Sequence, residues 1–237
     1  MKRYLIGISI IILSFVGCRQ GVAQQISPAA SSTQNKPQFE EWGDDFNGDK
    51  LDEKKWERFT FEGGSGGKLE VRDGIVEIRS AGKTRAGIRT KDSFSGDRFA
   101  IEGRIAKVGP AFPEPDSNIS TLGFATLTVL FDGSGRNRVE WMLTSAGTLE
   151  AWSIVDGRGE RLDNKKLATK MKNPVLLIVR KGDDFSFYIN DAKSPPQEAQ
   201  LGLAAKVKNL PTAFHVMLYG YGSSENHWDG VRITTPK

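Results

Sequence analysis

From residue 39 onward, hydrophobic and polar residues alternate with a period of two, and turn residues interrupt the alternation at short intervals. This pattern predicts β-strands, because successive side chains of a strand point to opposite faces. Residues 69–72 and 75–78 flank Asp73-Gly74, so they predict a hairpin with a tight turn. Further strands are predicted at 99–105, 122–131, 138–144, 148–155, 175–180, 185–190 and 214–221.

The same stretch contains no convincing amphipathic helix. The nearest candidate, residues 196–206, is short and begins with proline. Many strands of similar length protect their edges best as two packed antiparallel sheets. The sequence therefore predicts an all-β fold, a jelly-roll β-sandwich formed by residues 39–237.

The N-terminal segment has the pattern of an export signal. Lys2 and Arg3 precede an apolar run over residues 4–16, which is too short to span a bilayer and ends in small residues. The only cysteine, Cys18, follows directly, so no internal disulfide can form. The run Val16-Gly17-Cys18 resembles the bacterial lipobox, in which the cysteine becomes the lipidated first residue.

We therefore predict a signal peptide with a lipobox at residues 1–18 and a membrane-anchored lipoprotein of the bacterial cell envelope. The alternative is cleavage after Ala23, which would give a secreted protein. Residues 19–38 are rich in Gln, Ser, Ala and Pro and have few large apolar residues, so they predict a disordered tether.

The charge of the chain gives no indication of a polyanionic partner. It has 33 basic and 29 acidic residues, and two of the basic ones, Lys2 and Arg3, lie in the export signal. No stretch combines clustered Lys and Arg with aromatic residues as nucleic-acid-binding surfaces do. We expect no nucleic-acid partner.

The two ends of the predicted domain carry short motifs that point to a family. Residues 44–48 read Asp-Asp-Phe-Asn-Gly and are followed by Leu-Asp and Trp56, and residues 228–233 read Trp-Asp-Gly-Val-Arg-Ile. Together with the strands at 176–182 and 185–190, these motifs resemble the concanavalin A-like lectin/glucanase superfamily and its LamG-like domains over residues 39–235. The resemblance implies the jelly-roll fold and carbohydrate as a ligand class, but one fold supports many functions.

The catalytic pattern of family-16 glycoside hydrolases, Glu-x-Asp-x-x-Glu on one strand, is absent. Glu140 and Glu150 are the nearest acidic residues, one on each of two adjacent predicted strands. They are weak candidates for a catalytic pair, since a carboxylate on a solvated sheet face usually has no catalytic function. The sequence thus favours a protein that is not an enzyme.

Strand parity predicts one mixed polar and aromatic face. Phe214, Val216 and Leu218 are assigned to the core, so the residues between them lie on the opposite face. Rings stack on the apolar faces of sugars while polar groups bind hydroxyls. The predicted ligand-binding residues are Arg138, Glu140, Trp152, His215, Tyr219 and Tyr221. The alternative is that a loop, such as residues 108–120, covers these rings.

The superfamily resemblance also implies a calcium ion. Asp229 occupies the place of an acidic ligand in the last strand, and Asp45 with a backbone carbonyl near Gly74 could complete an oxygen-only site. The alternative is that Asp229 caps a turn.

These observations predict a non-catalytic carbohydrate-binding or surface-recognition module. Two alternatives stay open. One is an enzyme on the same scaffold, a glycoside hydrolase or a protein resembling the 3-keto-disaccharide hydrolase domains. The other is a structural envelope protein whose sheet face packs on a partner.

Overall fold

The computed structural model describes residues 39–61, 67–80, 85–111, 123–168, 171–191, 200–221 and 224–237. These residues form two antiparallel sheets of eight strands each, and no helix occurs among them. The predicted all-β sandwich of two antiparallel sheets is confirmed. The predicted signal peptide, Cys18 and the tether lie outside the described residues.

Sheet A has the strand order β14-β13-β12-β7-β16-β4-β3, and β1 pairs with β16. The strands of sheet A are β1 (Phe39–Asp44), β3 (Gly67–Arg72), β4 (Ile75–Ser80), β7 (Arg98–Ala111), β12 (Pro174–Lys181), β13 (Asp184–Asp191), β14 (Gln200–Lys206) and β16 (Ser224–Pro236). The first and last strands of the domain are therefore neighbours, with Phe39 opposite Pro236.

Sheet B has the strand order β11-β10-β9-β8-β15-β5-β2, and β6 pairs with β15. The strands of sheet B are β2 (Trp56–Phe61), β5 (Arg85–Thr90), β6 (Phe94–Ser95), β8 (Phe124–Leu130), β9 (Arg138–Thr144), β10 (Thr148–Val155), β11 (Arg158–Lys166) and β15 (Ala213–Tyr221).

The predicted strands are present, and those at 138–144 and 148–155 have the predicted bounds. Six strands were not predicted from the sequence: β1, β2, β5, β6, β11 and β14. The β11 strand is polar and mostly exposed because it lies at the edge of sheet B, so it has no hydrophobic alternation to detect. The β14 strand falls within the weak helix candidate and is instead paired with β13.

The core lies between the two sheets and is rich in aromatic residues. Its largest fully buried side chains include Trp56, Trp141, Trp228, Phe185, Phe187 and Phe214. Phe214, Val216 and Leu218, which strand parity assigned to the core, belong to it. Burial of such side chains supplies most of the driving force for folding.

The motif at residues 44–48 fixes the start of the domain. The Asp44 carboxylate accepts hydrogen bonds from Phe46 N at 2.9 Å and from Trp56 Nε1 at 2.7 Å. The Trp56 ring also packs edge-on against Trp42, with 5.4 Å between ring centroids. The first acidic residue of this motif therefore has a structural function.

Candidate functional site

A groove of about 550 Å³ lies on the outward face of sheet B, opposite the core. Its lining combines aromatic rings, three arginines and two carboxylates. The side chains used below are Phe61, Arg85, Phe124, Arg136, Arg138, Glu140, Glu150, Trp152, Tyr219 and Tyr221.

Five of the six predicted ligand-binding residues line this groove, and Glu150 lines it as well. The sixth, His215, is not among the lining residues. Its Nδ1 lies 2.9 Å from the carbonyl oxygen of Thr90, so its ring is tied to the neighbouring strand β5.

The strand register brings the groove residues together. On the β9–β10 pair Glu140 lies opposite Trp152, and Met142 lies opposite Glu150. Thr126 of β8 lies between Met142 and Tyr219, so the same face continues onto β15. Residues that are far apart in sequence thereby become neighbours on one face.

The floor of the groove is a second hydrophobic cluster, separate from the main core. It contains Phe61, Leu130, Met217 and Tyr219. The rings of Phe61 and Tyr219 pack edge-on, with centroids 5.6 Å apart. Tyr219 is only 1% exposed, so the expectation that it offers an open ring is wrong.

Phe61 packs against Tyr219, and of the loop proposed as a cover, residues 108–120, residues 112–120 lie outside the described residues. Burial raises the pKa of Tyr219 well above its ordinary value, and the nearby Glu140 carboxylate raises it further. The hydroxyl therefore stays protonated and can donate its hydrogen bond to Glu140.

Arg138 and Glu140 form an ion pair in the groove. Arg138 Nε lies 2.5 Å from Glu140 Oε1, and Glu140 is only 4% exposed. The Arg138 guanidinium also lies over the Phe61 ring, 4.5 Å from its centroid. Breaking such a buried pair on one side leaves an uncompensated charge, so the two groups depend on each other.

Glu150 has a different partner. Its Oε2 accepts a hydrogen bond of 2.9 Å from Nε1 of Trp152, which fixes the half-buried indole against the β10 strand. Both groove carboxylates are thus engaged by neighbouring side chains. A retaining glycosidase holds one carboxylate beside the sugar as nucleophile and a second one as acid. The contacts of Glu140 and Glu150 distinguish neither residue as the nucleophile or the acid.

Tyr221 continues the aromatic lining at the β15 end. The Arg85 guanidinium lies 4.7 Å from its ring centroid, and Phe124 packs edge-on at 6.0 Å. Sequence analysis missed Phe61 and Arg85 because they lie on the unrecognised strands β2 and β5. The alternation Glu57, Phe59 and Phe61 was the signal that could have placed Phe61 on this face.

The loop 132–137 forms one rim of the groove and is held by Asp132. The Asp132 carboxylate accepts hydrogen bonds from the backbone and hydroxyl of Ser134, from Arg136 N, and from the backbone and side-chain amides of Asn137. Burial raises the pKa of Asp132, but these hydrogen bonds outweigh it and lower the pKa below 3.8.

Gly135 of this loop allows close contact with the floor. Its φ is +75°, and a Cβ added there would lie 2.1 Å from Cε1 of Phe61. A side chain at this position would therefore push the loop off the aromatic floor.

The residues expected to bind calcium lie together but share a positive side chain. Arg104 Nη2 lies 2.5 Å from Asp45 Oδ1, and Arg104 Nε lies 3.2 Å from Asp229 Oδ1. A Cβ added to Gly74 would lie 3.8 Å from the carbonyl oxygen of Asp45, so this carbonyl lies near Gly74. A calcium ion would have to displace the guanidinium, so this donor set does not fit the ion as it stands.

A second group of possible ligands consists of Glu77, Glu225 and His227, whose ligand atoms lie within 4.8 Å of one another. Lys107 Nζ lies 3.0 Å from Glu225 Oε1, and Arg79 Nε lies 2.5 Å from Glu77 Oε1. Both carboxylates are therefore already paired with cations.

Comparison with known proteins identifies the fold. We find no match to a protein-family model and no match to a curated protein sequence. Among solved structures, the carbohydrate-binding module CBM66 from Bacillus subtilis matches with 15% identity and a TM-score of 0.52, over 74% of this chain and 94% of that one. A β-glucanase from Bacillus licheniformis matches with 10% identity and a TM-score of 0.56, over 81% and 97%.

The Ca²⁺/Man3GlcNAc-bound exoplasmic domain of VIP36 matches with 11% identity and a TM-score of 0.53, over 77% of this chain and 83% of that one. At these identities the similarity shows the fold alone. Within the part of the chain that the structure describes, no helix is long and apolar enough to cross a membrane. The concanavalin A-like jelly-roll fold predicted from sequence is confirmed by these neighbours.

Proposed function

We propose that the protein is a non-catalytic module that binds carbohydrate in the groove on sheet B. The observation that carries this proposal is the combination of half-buried Trp152 and Tyr221 rings with arginine and carboxylate groups in one groove. Ring faces can stack on a sugar while the charged groups bind its hydroxyls. The structural neighbours include both a carbohydrate-binding module and a lectin-fold domain with bound saccharide, which supports the same ligand class.

The partners of the two carboxylates favour binding over catalysis. Glu140 is paired with Arg138 in the groove, and Glu150 is hydrogen-bonded to Trp152. The alternative of a hydrolase on the same scaffold is supported by the β-glucanase neighbour. Release of reducing sugars from polysaccharides by the wild-type protein, lost in Glu150→Gln, would establish that alternative.

Binding is tested with Trp152→Ala and Tyr221→Ala, and Tyr188→Ala serves as a matched control. Tyr188 is also half-buried, but it lies on β13 in sheet A, away from the groove. We expect the two groove variants to bind a retained glucan, galactan or xylan about tenfold or more weakly, because anchoring aromatic residues dominate such contacts.

The control variant should bind like the wild type, and thermal unfolding of all four proteins shows whether each is folded. Equal retention of the groove variants and the wild type would contradict the proposal. So would a wild-type protein that is retained by no glycan.

We also propose that the protein is exported and anchored to the bacterial envelope through Cys18. The short apolar run, the lipobox-like Val16-Gly17-Cys18 and the polar segment 19–38 support this proposal. Metabolic palmitate labelling should mark the wild type and not Cys18→Ala. An unlabelled wild type would favour cleavage after Ala23. The calcium ion does not enter the proposal, because Arg104 binds both expected carboxylates.

A further inference from the structure

One arginine of the groove is held in place without an acidic partner. Arg136 is exposed, and its Nη2 donates a hydrogen bond of 3.1 Å to the carbonyl oxygen of Asp156. Its Nε would lie 3.3 Å from a Cβ added to Gly157, so the guanidinium packs closely on the 156–157 turn. The turn therefore fixes the direction of the guanidinium.

The loop that carries Arg136 is also fixed. Asp132 accepts the hydrogen bond of Arg136 N at 3.0 Å, and Asn137 Oδ1 accepts one from Asp156 N at 3.0 Å. These bonds join the 132–137 loop to the β10–β11 turn. An arginine on such a support loses little side-chain entropy when it binds a ligand.

No carboxylate among the described residues forms an ion pair with the Arg136 guanidinium. The neighbouring Arg138 differs, because Glu140 neutralises it at 2.5 Å. The Asp156 contact uses a backbone carbonyl, which carries no net charge. One positive charge at this rim is therefore available to a ligand.

The positive and negative groups of the groove lie at different positions along the strands. Arg138 lies opposite Ile154, whereas Glu150 lies four residues earlier on β10, about 13 Å away along the strand. Trp152 lies between these positions. A sugar stacked on the indole would extend one side toward Arg136 and the other toward Glu150.

We infer that the groove recognises an anionic saccharide whose carboxylate or sulfate group binds the Arg136 guanidinium. This inference rests on the proposed function of the groove. A planar guanidinium binds such oxyanions through paired hydrogen bonds, and its positive charge also attracts the negative charge of the oxyanion. Uronic-acid and sulfated sugars share this chemistry.

The test compares polygalacturonate and a sulfated galactan with a neutral galactan. We expect the wild type to bind at least one anionic polymer about tenfold more tightly than the neutral one, and more so at low salt. Arg136→Gln should remove this preference, so that the anionic polymer binds no more tightly than the neutral one, since a charged hydrogen bond contributes more than a neutral one. The two anionic polymers show which oxyanion the site takes.

Arg98→Gln is the matched control. Arg98 is exposed on β7 in sheet A, away from the groove, and its replacement removes the same charge from the protein. An equal loss in both variants would show general attraction between charges and overturn the inference. Equal wild-type affinity for neutral and anionic galactans would also overturn it and leave carbohydrate binding intact. If the wild type binds neither these polymers nor any other glycan, the proposed function is overturned as well.

Discussion

The outward faces of the two sheets both carry charged side chains, but the partners of these side chains differ between the two faces. On sheet A, acidic and basic groups are paired with one another, as Arg104 is with Asp45 and Asp229. On sheet B, Arg138 is paired with Glu140 in the same way, but Arg136 at the groove rim has no acidic partner in the described part of the chain. A face of paired charges offers a ligand few unpaired groups to bind. Aromatic rings beside a guanidinium without an acidic partner offer it both a stacking surface and an ionic contact.

Burial also differs between the faces. Glu102 of sheet A has its pKa raised by burial, and Arg232 and Arg104 only partly counter this effect. On sheet B, the buried residues Glu140 and Tyr219 lie close together, and the Glu140 carboxylate adds to the effect of burial in raising the pKa of Tyr219. The comparison shows that the number of charges on a sheet does not identify a site. Their partners do.

The largest effect should come from removing the groove floor. Tyr219→Ala is expected to lower the free energy of unfolding by about 3–5 kcal/mol, because a fully buried ring is lost and a cavity remains. Tyr219→Phe keeps the ring and is expected to cost less, about 1.5–3 kcal/mol, the contribution of one hydrogen bond to a charged group. Urea unfolding measures both. A Tyr219→Ala protein of wild-type stability would show that the cluster under the groove does not support this face.

Much of this face could be predicted because strand parity is a local property. Arg138, Glu140 and Trp152 lie on strands with strong alternation, and the structure brings them into one groove. Parity gives the side of the sheet on which a residue lies, but it does not give its depth. Tyr219 is buried because Phe61 reaches it from a strand two positions away in sheet B.

The ion pairs could not be predicted from the sequence either. Arg104 meets Asp229 across 125 residues, and nothing in the local sequence indicates that contact. The position of His215 against Thr90 is a contact between neighbouring strands of the same kind. Arg136 could have been noticed, because Asp132-Gly133-Ser134-Gly135 is a turn sequence in which Asp binds the following backbone amides.

A smaller effect should come from loosening the groove rim. Asp132→Asn is expected to lower the free energy of unfolding by about 1.5–3 kcal/mol at neutral pH, since charge-assisted hydrogen bonds hold the loop. The pKa of Asp132 is lowered in the folded state, so its stabilisation is present above the ordinary value of 3.8 and lost as pH falls through the folded pKa.

The difference between Asp132→Asn and the wild type should therefore shrink below pH 3.8. Asp92→Asn, a substitution of an exposed aspartate outside the groove, should show no comparable loss at neutral pH. A constant difference at all pH values would mean that the carboxylate charge does not hold this rim.

The smallest effect concerns the paired charges of sheet A. Arg104→Gln should change the free energy of unfolding by at most about 1 kcal/mol, because Asp45 and Asp229 are partly exposed. In the wild type we expect millimolar calcium to leave the melting temperature unchanged, since the guanidinium already binds both carboxylates. In Arg104→Gln the two carboxylates lose this cation, so calcium should now bind the folded state and raise the melting temperature. Adding Asp229→Ala to Arg104→Gln should remove that increase. If calcium instead stabilises the wild type and Asp229→Ala abolishes the effect, the ion displaces Arg104, and sheet A carries the metal site that the sequence resemblance implied.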